Sequence, residues 1–320
     1  MSTEWEKPII DDIRTVESEM LRNVKSRHPL LNEIAMEAVS VGGKRIRPGV
    51  SLLAFHCVGG EDKDRIIKLA VALELIHSAT LVHDDINDKA EMRRGKTAIY
   101  KKYGLERAII TGDFLFVQGF KLGGYMESEE IIGFVASACS NMAESEFLQI
   151  DEEHDISTPL ETYLNIIGGK TAGAIEASAR LGAYIGGGSP EEINSLGEYG
   201  RNMGYAFQII DDILDITGNE ADMGKPVGMD IKDGRPNLPV MIAMNLGNEF
   251  ISKIFKEKSP SDEEIKEAVK LVKDSGALDV ARNHAQDFYN KALESIENIA
   301  SSVYKDSLIS LADTIMTRRS

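Results

Sequence analysis

Asp84-Asp85-Ile86-Asn87-Asp88 and Asp211-Asp212-Ile213-Leu214-Asp215 are two copies of one acidic pattern, each following apolar residues. On a helix, positions i and i+4 lie on one face, where like charges repel and cost about a few tenths of a kcal/mol. Because this unfavourable arrangement occurs twice in one chain, it indicates that bound cations neutralise the carboxylates. Carboxylate oxygens with little sulfur or imidazole nearby suit Mg²⁺, which bridges to substrate phosphates. The pattern predicts a diphosphate held between two helices by shared magnesium ions.

Two alternatives apply to a single copy of this pattern. One is a solvated acidic helix face, which a second copy beside apolar residues makes less favourable. The other is a calcium loop of the EF-hand type. Neither copy has the alternating oxygen ligands and central glycine of such a loop, so calcium fits less well.

The rest of the chain favours an all-α fold. Of its 320 residues, 42% are hydrophobic, enough for a substantial core. Apolar residues recur at helical spacing almost everywhere, for example Leu69, Leu73 and Ile76, and strand signals are scarce. The length allows two domains, but no linker divides the chain, so we expect one domain over residues 1–320.

The overall charge limits the class of partner. A net charge of -16 argues against nucleic-acid binding, which needs a broad basic surface. Cys57 and Cys139 are the only cysteines, which favours a reducing compartment over a disulfide framework. Acidic residues interrupt the N-terminal segment where a signal peptide would be apolar, and no apolar run approaches the roughly 18 residues of a membrane span. We expect a soluble, cytoplasmic protein without an integral membrane segment.

Basic residues concentrate in short segments of this acidic chain. Gly42–Pro48 (GGKRIRP) precedes a predicted helix start, and Arg93-Arg94 follows the first acidic motif. Arginine forks suit phosphate oxygens, and two successive arginines point in different directions, so they can serve two phosphate groups. The alternative for GGKRIRP is a solvent-exposed basic turn. The glycine-rich stretch 217–237 is predicted to be a mobile flap over the site.

These landmarks resemble a known family. They are GGKRIRP at 42–48, ELIHSATLVHDDINDKAEMRRG at 74–95, GKT at 169–171, GYAFQIIDDILD at 204–215 and GKPVGMDIKDGRPNLP at 224–239. In order and spacing the chain resembles the trans-prenyl diphosphate synthases of the polyprenyl synthetase family, of the geranylgeranyl or longer-chain type. The resemblance implies a single all-helical domain around a deep central cavity, the isoprenoid synthase fold, as a homodimer.

The resemblance also implies roles for individual residues. The diphosphate of isopentenyl diphosphate would be bound by Lys44, Arg47, His77 and Arg94. Mg²⁺, three ions per site, would be ligated directly by Asp84, Asp88 and Asp211, with Asp85, Asp212 and Asp215 assisting or acting through water. The allylic diphosphate would be held by Arg93, Lys170, Thr171, Gln208, Lys225 and Arg235. The catalytic set would comprise Asp84, Asp85, Asp88, Lys170, Thr171, Gln208, Asp211 and Asp212.

Some positions leave the assignment open. The family usually has Lys where Arg235 stands, Thr where Asn237 stands and Gly where Ser145 stands. Arg235 keeps the charge but not the compact ammonium group, which puts its role in doubt. His77 has a structural alternative as a satisfied core histidine. His83 is expected to orient the neighbouring aspartates through a hydrogen bond.

The implied reaction is a 1'-4 condensation that lengthens a prenyl tail. The tail would run along the helix carrying Asp84, where one turn of about 5.4 Å approximates one isoprene unit. Ile76, Ala79 and Thr80 would meet the tail at successive depths. In the family, bulky aromatics at the last two positions go with short products. Small side chains there predict a product longer than C15, in the range C20 to C35.

Two rival functions remain at this point. A class I terpene cyclase would share the first acidic motif but would normally lack the second motif and the basic residues for a second diphosphate. A non-catalytic subunit of a heteromeric prenyl synthase should have lost part of the metal or phosphate set, whereas this set is complete.

Overall fold

A computed structural model of the protein describes residues 4–40, 42–126, 128–218 and 226–318. Helices dominate these ranges, and the all-α prediction is confirmed. In chain order the helices are α1 (Ile10–Asn23), α2 (Pro29–Ser40), α3 (Ile46–Cys57), α4 (Lys63–Asn87), α5 (Ile99–Tyr103), α6 (Leu105–Gly124), α7 (Glu129–Asp151), α8 (Leu160–Ile167), α9 (Gly173–Ile185), α10 (Pro190–Thr217), α11 (Met229–Asp233), α12 (Leu238–Asn245), α13 (Glu249–Lys256), α14 (Asp262–Asp274), α15 (Ala277–Ser295) and α16 (Val303–Met316).

Four shorter elements accompany these helices in the described ranges. A 3₁₀ helix over Glu4–Ile9 precedes α1, and a π-helical turn over Gly168–Ala172 joins α8 to α9. The strands β1 (Met92–Arg93) and β2 (Lys96–Thr97) form a small antiparallel hairpin.

The chain forms two compact units, each assembled from three stretches of sequence. The first comprises Met1–Ala136, Ala177–Leu196 and Ile299–Leu308, and the second comprises Ser137–Glu176, Gly197–Asn298 and Ile309–Ser320. The first acidic motif lies in the first unit, and the second motif lies in the second unit. The single domain over residues 1–320 stays a prediction.

Helix α4 is the core of the first unit and packs against α1, α3 and α6. Asp62 begins it by accepting a 3.1 Å hydrogen bond from the backbone N–H of Arg65. Its buried residues lie on every face, as expected of a helix enclosed by others. At Gly119 of α6 an added Cβ would lie 2.7 Å from the Ile76 side chain, so only glycine permits this close approach of the two helices.

Helix α4 also has the length and composition of a membrane span, with a mean hydropathy of 1.5 over its apolar window. The expectation that no segment reaches that length therefore does not hold for this helix. In the fold, 72% of that window is buried, which is the environment of a core helix.

The core of the second unit gathers around the last turns of α10. Ile209, Ile213 and Ile216 are buried there together with apolar residues from α12 to α15. Asn237 begins α12 by accepting a 3.3 Å hydrogen bond from the N–H of Val240. The second acidic motif is therefore carried by a stretch of α10 that is packed into this core.

Candidate active site

The first acidic motif occupies the last turn of α4. Asp84 and Asp88 lie one turn apart, and both are partly exposed. Asp85 is only 4% exposed, and its Oδ1 accepts a 2.6 Å hydrogen bond from Nε of Arg93. Burial raises the pKa of Asp85, and the charge of Arg93 opposes that shift. Two carboxylates of the motif are thus partly exposed, while the third is buried and anchors an arginine.

The hairpin after this motif separates the two arginines. Arg94 and Gly95 form its two-residue turn, and both have positive φ, 50° and 77°, as tight hairpin turns require. Nη1 of Arg94 donates a hydrogen bond to the carbonyl oxygen of Gly42, so Arg94 reaches the GGKRIRP loop while Arg93 turns to Asp85. The two guanidinium groups therefore point to different partners, and their service to two phosphate groups stays a prediction.

Arg45 fixes the GGKRIRP loop from inside the protein. Its backbone is left-handed, with φ 45°, and its side chain is buried. Nη1 of Arg45 lies 2.8 Å from Oε1 of the buried Glu74, and its Nε lies 3.2 Å from Oε1 of Glu17. Its charge is compensated inside the protein, so Arg45 holds the loop in shape. Lys44 is exposed beside it, and Arg47 lies in the first turn of α3.

His77 lies among several arginines. Burial lowers the pKa of His77 well below its ordinary value, and repulsion from Arg47, Arg94, Arg93 and Arg45 lowers it further. Burial also lowers the pKa of Arg94, and the neighbouring Arg93 and Arg45 add to this shift. An anion would relieve this repulsion. The structure thus brings together Arg47, His77 and Arg94, three of the four predicted isopentenyl diphosphate ligands, with Lys44 on the adjoining loop.

The second acidic motif has one outward carboxylate. The side chain of Asp211 is 34% exposed, whereas Asp212 is 4% exposed and Asp215 is 2% exposed. Oδ2 of Asp215 accepts a 3.2 Å hydrogen bond from the N–H of Asp230. Asp215 therefore supports the backbone that follows α10, and its part in the metal site stays a prediction.

A hydrogen-bonded chain links the predicted catalytic residues of this unit. The hydroxyl of Thr171 donates to Oε1 of Gln208 at 2.9 Å, and Nε2 of Gln208 donates to Oδ1 of Asp212 at 3.2 Å. The phenol of Tyr163 donates to Oδ2 of Asp212 at 2.7 Å. Because its proton is engaged, Thr171 can present oxygen lone pairs to a cation.

The π-helical turn positions Lys170 and Thr171. An added Cβ on Gly169 would collide with Oγ of Ser145, and Oγ of Ser145 donates to the Asn165 carbonyl at 3.4 Å. Ser145, a departure from the usual glycine, thus packs directly against this turn. Nζ of Lys170 lies 2.6 Å from Oε2 of Glu146, which holds its ammonium group in place.

The glycine-rich stretch after α10 is described only in part. Lys225 lies outside the described residues. From residue 226 onward the stretch is tied to α10, because the N–H of Gly228 donates to the Asp215 carbonyl at 2.7 Å and Nδ2 of Asn237 donates to the Asp212 carbonyl at 3.3 Å. Nη1 of Arg235 lies 3.7 Å from Oδ2 of Asp233. The flap and the allylic role of Arg235 stay predictions.

The predicted tail-contacting residues differ in exposure. Ile76 is 6% exposed, Ala79 is fully buried and Thr80 is partly exposed. The hydrogen bond expected between His83 and the neighbouring aspartates is not formed. Nε2 of His83 instead lies 3.2 Å from the Ile109 carbonyl of α6.

Three further residues that contact the second acidic motif or its surroundings were not identified from the sequence. Tyr163 and Arg318 carry no local signal, since both reach the second acidic motif only through the fold. Asp230 lies inside the recognised segment GKPVGMDIKDGRPNLP, and its carboxylate accepts a 2.8 Å hydrogen bond from Asn237. That segment was the signal that could have identified it.

The donor set suits a hard divalent cation, which prefers carboxylate oxygens. Among the described residues no three His, Cys, Asp or Glu side chains converge as a preformed cage. Asp84, Asp88 and Asp211 are nevertheless partly exposed oxygen donors, and the guanidinium of Arg318 lies 2.9 Å from Asp211 where a metal cation would bind. Each motif by itself thus offers partly exposed carboxylate oxygens that suit a cation completing its coordination with substrate phosphate and water.

Comparison with known proteins identifies the family. The protein-family model for polyprenyl synthetase matches residues 28–272. The octaprenyl diphosphate synthase of Haemophilus influenzae is 35% identical over 304 residues, covering 94% of this chain and 92% of its own. Component 2 of the heptaprenyl diphosphate synthase of Geobacillus stearothermophilus is 36% identical, covering 90% of each chain.

A solved structure agrees with these relatives. The polyprenyl synthase of Caulobacter crescentus, complexed with calcium and isoprenyl diphosphate, superposes with a TM-score of 0.95 at 32% identity and covers 99% of this chain and 98% of its own. None of the three relatives named here is a cyclase. With its isoprenoid synthase fold, the chain belongs to the polyprenyl synthetase family and is a trans-prenyl diphosphate synthase.

Proposed function

We propose that this synthase uses Mg²⁺ to condense isopentenyl diphosphate with an allylic diphosphate into an all-trans polyprenyl diphosphate of C20 to C35. The observation that carries the proposal is the position of His77 among arginines, a few turns before Asp84 and Asp88 on the same helix. A site for an anion thus adjoins a site for a cation. A diphosphate substrate with its metal requires both.

Isopentenyl diphosphate would bind at the arginine cluster. Arg47 and Arg94 supply charge, and Lys44 on the GGKRIRP loop supplies a third cation. The depressed pKa of His77 keeps its imidazole neutral, so it contributes a hydrogen bond to the diphosphate. Arg45 keeps the loop in place because Glu74 already compensates its charge.

The allylic diphosphate would be held by the remaining basic residues. Mg²⁺, three ions held by Asp84, Asp88 and Asp211, would supply electrostatic stabilisation of the departing diphosphate. Arg93 is prepositioned by Asp85, and Lys170 by Glu146. The ligand set would be completed by Thr171, Gln208, Lys225 and Arg235.

The chain would then stabilise the allylic cation left by C–O cleavage. The lone pairs of the Thr171 hydroxyl are available because its proton bonds Gln208, which in turn bonds Asp212. The double bond of isopentenyl diphosphate attacks the cation, and a proton is lost. The released diphosphate is the proposed proton acceptor, since no described side chain assigned to the site stands out as a strong base.

Product length would follow from the small side chains before the first motif. Ala79 and Thr80 leave space where aromatics would stop the tail. The relatives with octaprenyl and heptaprenyl products show nearly equal identity, 35% and 36%, so identity alone does not select a length. A product longer than C15 therefore rests on the residues themselves.

We propose a homodimer as the assembly. Ile110 and Val117 stand two turns apart on α6 and are 57% and 60% exposed, and Ile132 and Phe134 of α7 add exposed apolar surface in the same unit. Exposed apolar residues that share a helix face, as Ile110 and Val117 do, are typical of protein interfaces. One relative is a component of a heteromeric synthase, so a different partner chain is the outcome that a test must separate. A soluble, cytoplasmic location is proposed from the net charge of -16 and the burial of α4.

One incubation tests the function against its rivals. The purified chain alone receives labelled isopentenyl diphosphate and an allylic diphosphate, with Mg²⁺ or with a chelator. The proposal requires label in a longer prenyl diphosphate only when Mg²⁺ is present. A cyclase would release hydrocarbon without consuming the label, and a non-catalytic subunit would yield nothing until a second chain was added.

A further inference from the structure

The last described residue contacts the second acidic motif. Past the last residue of α16, the N–H of Thr317 still donates to the Asp313 carbonyl at 3.0 Å, which is the i to i−4 bond of a helix. Nη1 of Arg318 then lies 2.9 Å from Oδ1 of Asp211, and the guanidinium carbon lies 4.6 Å from the centre of the Phe207 ring. Phe207 is one turn before Asp211 on α10. The guanidinium of Arg318 therefore lies against one face of α10, where it contacts both the Asp211 carboxylate and the Phe207 ring.

The enclosure of this ion pair distinguishes it from a surface pair. The side chain of Arg318 is 13% exposed and that of Asp211 is 34% exposed. Arg14 and Asp11 form an ion pair with the same atoms at the same 2.9 Å, but their side chains are 70% and 88% exposed. Solvent and salt weaken exposed pairs most, so the Arg318–Asp211 pair should be the stronger one.

The position of Arg318 is important because Asp211 is the proposed metal ligand of the second motif. Asp212 and Asp215 are buried, which leaves Asp211 as the outward carboxylate of its motif. A guanidinium and a divalent cation compete for the same carboxylate oxygens when both approach it closely. Metal binding at Oδ1 of Asp211 therefore requires Arg318 to move away.

We propose that Arg318 is a built-in competitor of the divalent cation at Asp211 and sets the metal affinity of the free enzyme. This inference rests on the proposed function, which assigns Asp211 as a metal ligand. The substrate-free enzyme then holds metal weakly at this motif. Removal of the Arg318 charge should expose the intrinsic affinity of the carboxylate.

The test measures Mn²⁺ binding to the full chain without substrates, by the electron paramagnetic resonance signal of the free ion. Arg318→Gln removes the charge, and Arg318→Met repeats the test with an apolar stem against Phe207. Arg14→Gln is the matched control, since it removes an ion pair of the same geometry at an exposed place. Thermal unfolding and circular dichroism establish that each variant is folded.

Arg318→Gln is expected to bind Mn²⁺ at least about fivefold more tightly than wild type, the lower end of ordinary coupling between two ligands. Arg14→Gln should match wild type. Unchanged or weaker binding in both folded Arg318 variants would overturn the proposal, because Arg318 would then merely anchor the C-terminal turn.

A second comparison separates this inference from the function on which it rests. Asp211→Asn is introduced into wild type and into Arg318→Gln. If it abolishes tight Mn²⁺ binding while Arg318→Gln alone changes nothing, the metal assignment stands and the competitor role fails. If it leaves Mn²⁺ binding unchanged in both backgrounds, Asp211 is not a metal ligand and the proposed function loses that residue.

Discussion

The phenol of Tyr163 and the carboxylate of Asp212 share a buried hydrogen bond of 2.7 Å. The same carboxylate oxygen accepts the N–H of Leu238 at 3.0 Å. Burial, with the nearby charge of Asp230, raises the pKa of Asp212 to about 7. The middle aspartate of the second motif therefore binds protein rather than solvent. It joins α8, α10 and the start of α12, and it orients Gln208.

Tyr163→Phe should destabilise the protein by about 1–2 kcal/mol, because it leaves a buried carboxylate short of one donor. Loss of the hydroxyl should also lower turnover, since Asp212 orients Gln208. Urea unfolding measures the first effect. Tyr103→Phe is the control, because the Tyr103 hydroxyl bonds Glu37 at a half-buried place and should contribute less. Equal losses of stability in the two variants would contradict the special role of Asp212.

Asp84→Ala and Asp211→Ala should each cut turnover by orders of magnitude while helical content stays unchanged. The removed charges act on metal and substrate, and both side chains are partly exposed. Asp64→Ala is the control, since Asp64 lies in the first turn of the same helix as Asp84 and pairs only with an exposed lysine. Steady-state rates measure the turnover, and circular dichroism measures the helical content. Near-wild-type turnover in Asp84→Ala would remove it from the metal site.

His77 should make the protein sensitive to acid. Its pKa in the folded state lies well below 6.5, while the unfolded chain protonates near 6.5. Below that pH the unfolded state binds the extra proton, so stability is present above pH 6.5 and is lost as the pH falls. His77→Gln should flatten this part of the stability profile, measured by thermal unfolding between about pH 7.5 and pH 5.5, roughly one unit either side of the unfolded pKa. His28→Gln, a substitution of the same kind at an exposed histidine, is the control.

Thr80→Phe should shorten the product by at least one isoprene unit, because it places a ring where the tail is expected to pass. Thr80 is partly exposed and can receive the larger side chain, whereas Ala79 is fully buried and Ala79→Phe should also reduce stability. Thr80→Ser, which keeps the hydroxyl that bonds the His77 carbonyl, should preserve product length. Chromatography of the dephosphorylated alcohols gives the lengths. An unchanged distribution in both phenylalanine variants would mean that the tail takes another path.

Ile110→Asp and Val117→Asp should convert a homodimer to a monomer, because a charge in an apolar interface loses its hydration. Light scattering coupled to gel filtration measures the mass. Val280→Asp is the control, since Val280 is 43% exposed on α15 in the other unit. A monomeric wild type would refute the homodimer.

Local sequence patterns were sufficient to predict the helices. They were also sufficient to predict that residues of opposite charge cluster. Two arginines in succession pointed in different directions, and the hairpin turn at Arg94-Gly95 is the physical reason. GGKRIRP, His77 and Arg94 came together because the flanking helices α3 and α4 pack against each other.

The spacing of the aspartates within each acidic motif could not reveal which of the carboxylates are buried. Asp84 and Asp88 are partly exposed. Asp215, which takes the place of Asp88 in the second motif, is covered by the chain that follows α10. Burial depends on elements distant in sequence, and so do the contacts of Tyr163 and Arg318. Only the tertiary fold supplies that information.

The π-helical turn at Gly168–Ala172 sets the register of the helix that follows it. Such a turn holds one residue more than an α-helical turn. Deletion of Gly169 would let the segment relax to a regular α-helix, and each residue of an α-helix is rotated by about 100° from the last. Thr171 would then face away from Gln208, and Lys170 away from Glu146. In relatives of this protein, a one-residue gap at this place should therefore report loss of catalytic geometry even where every charged residue is retained.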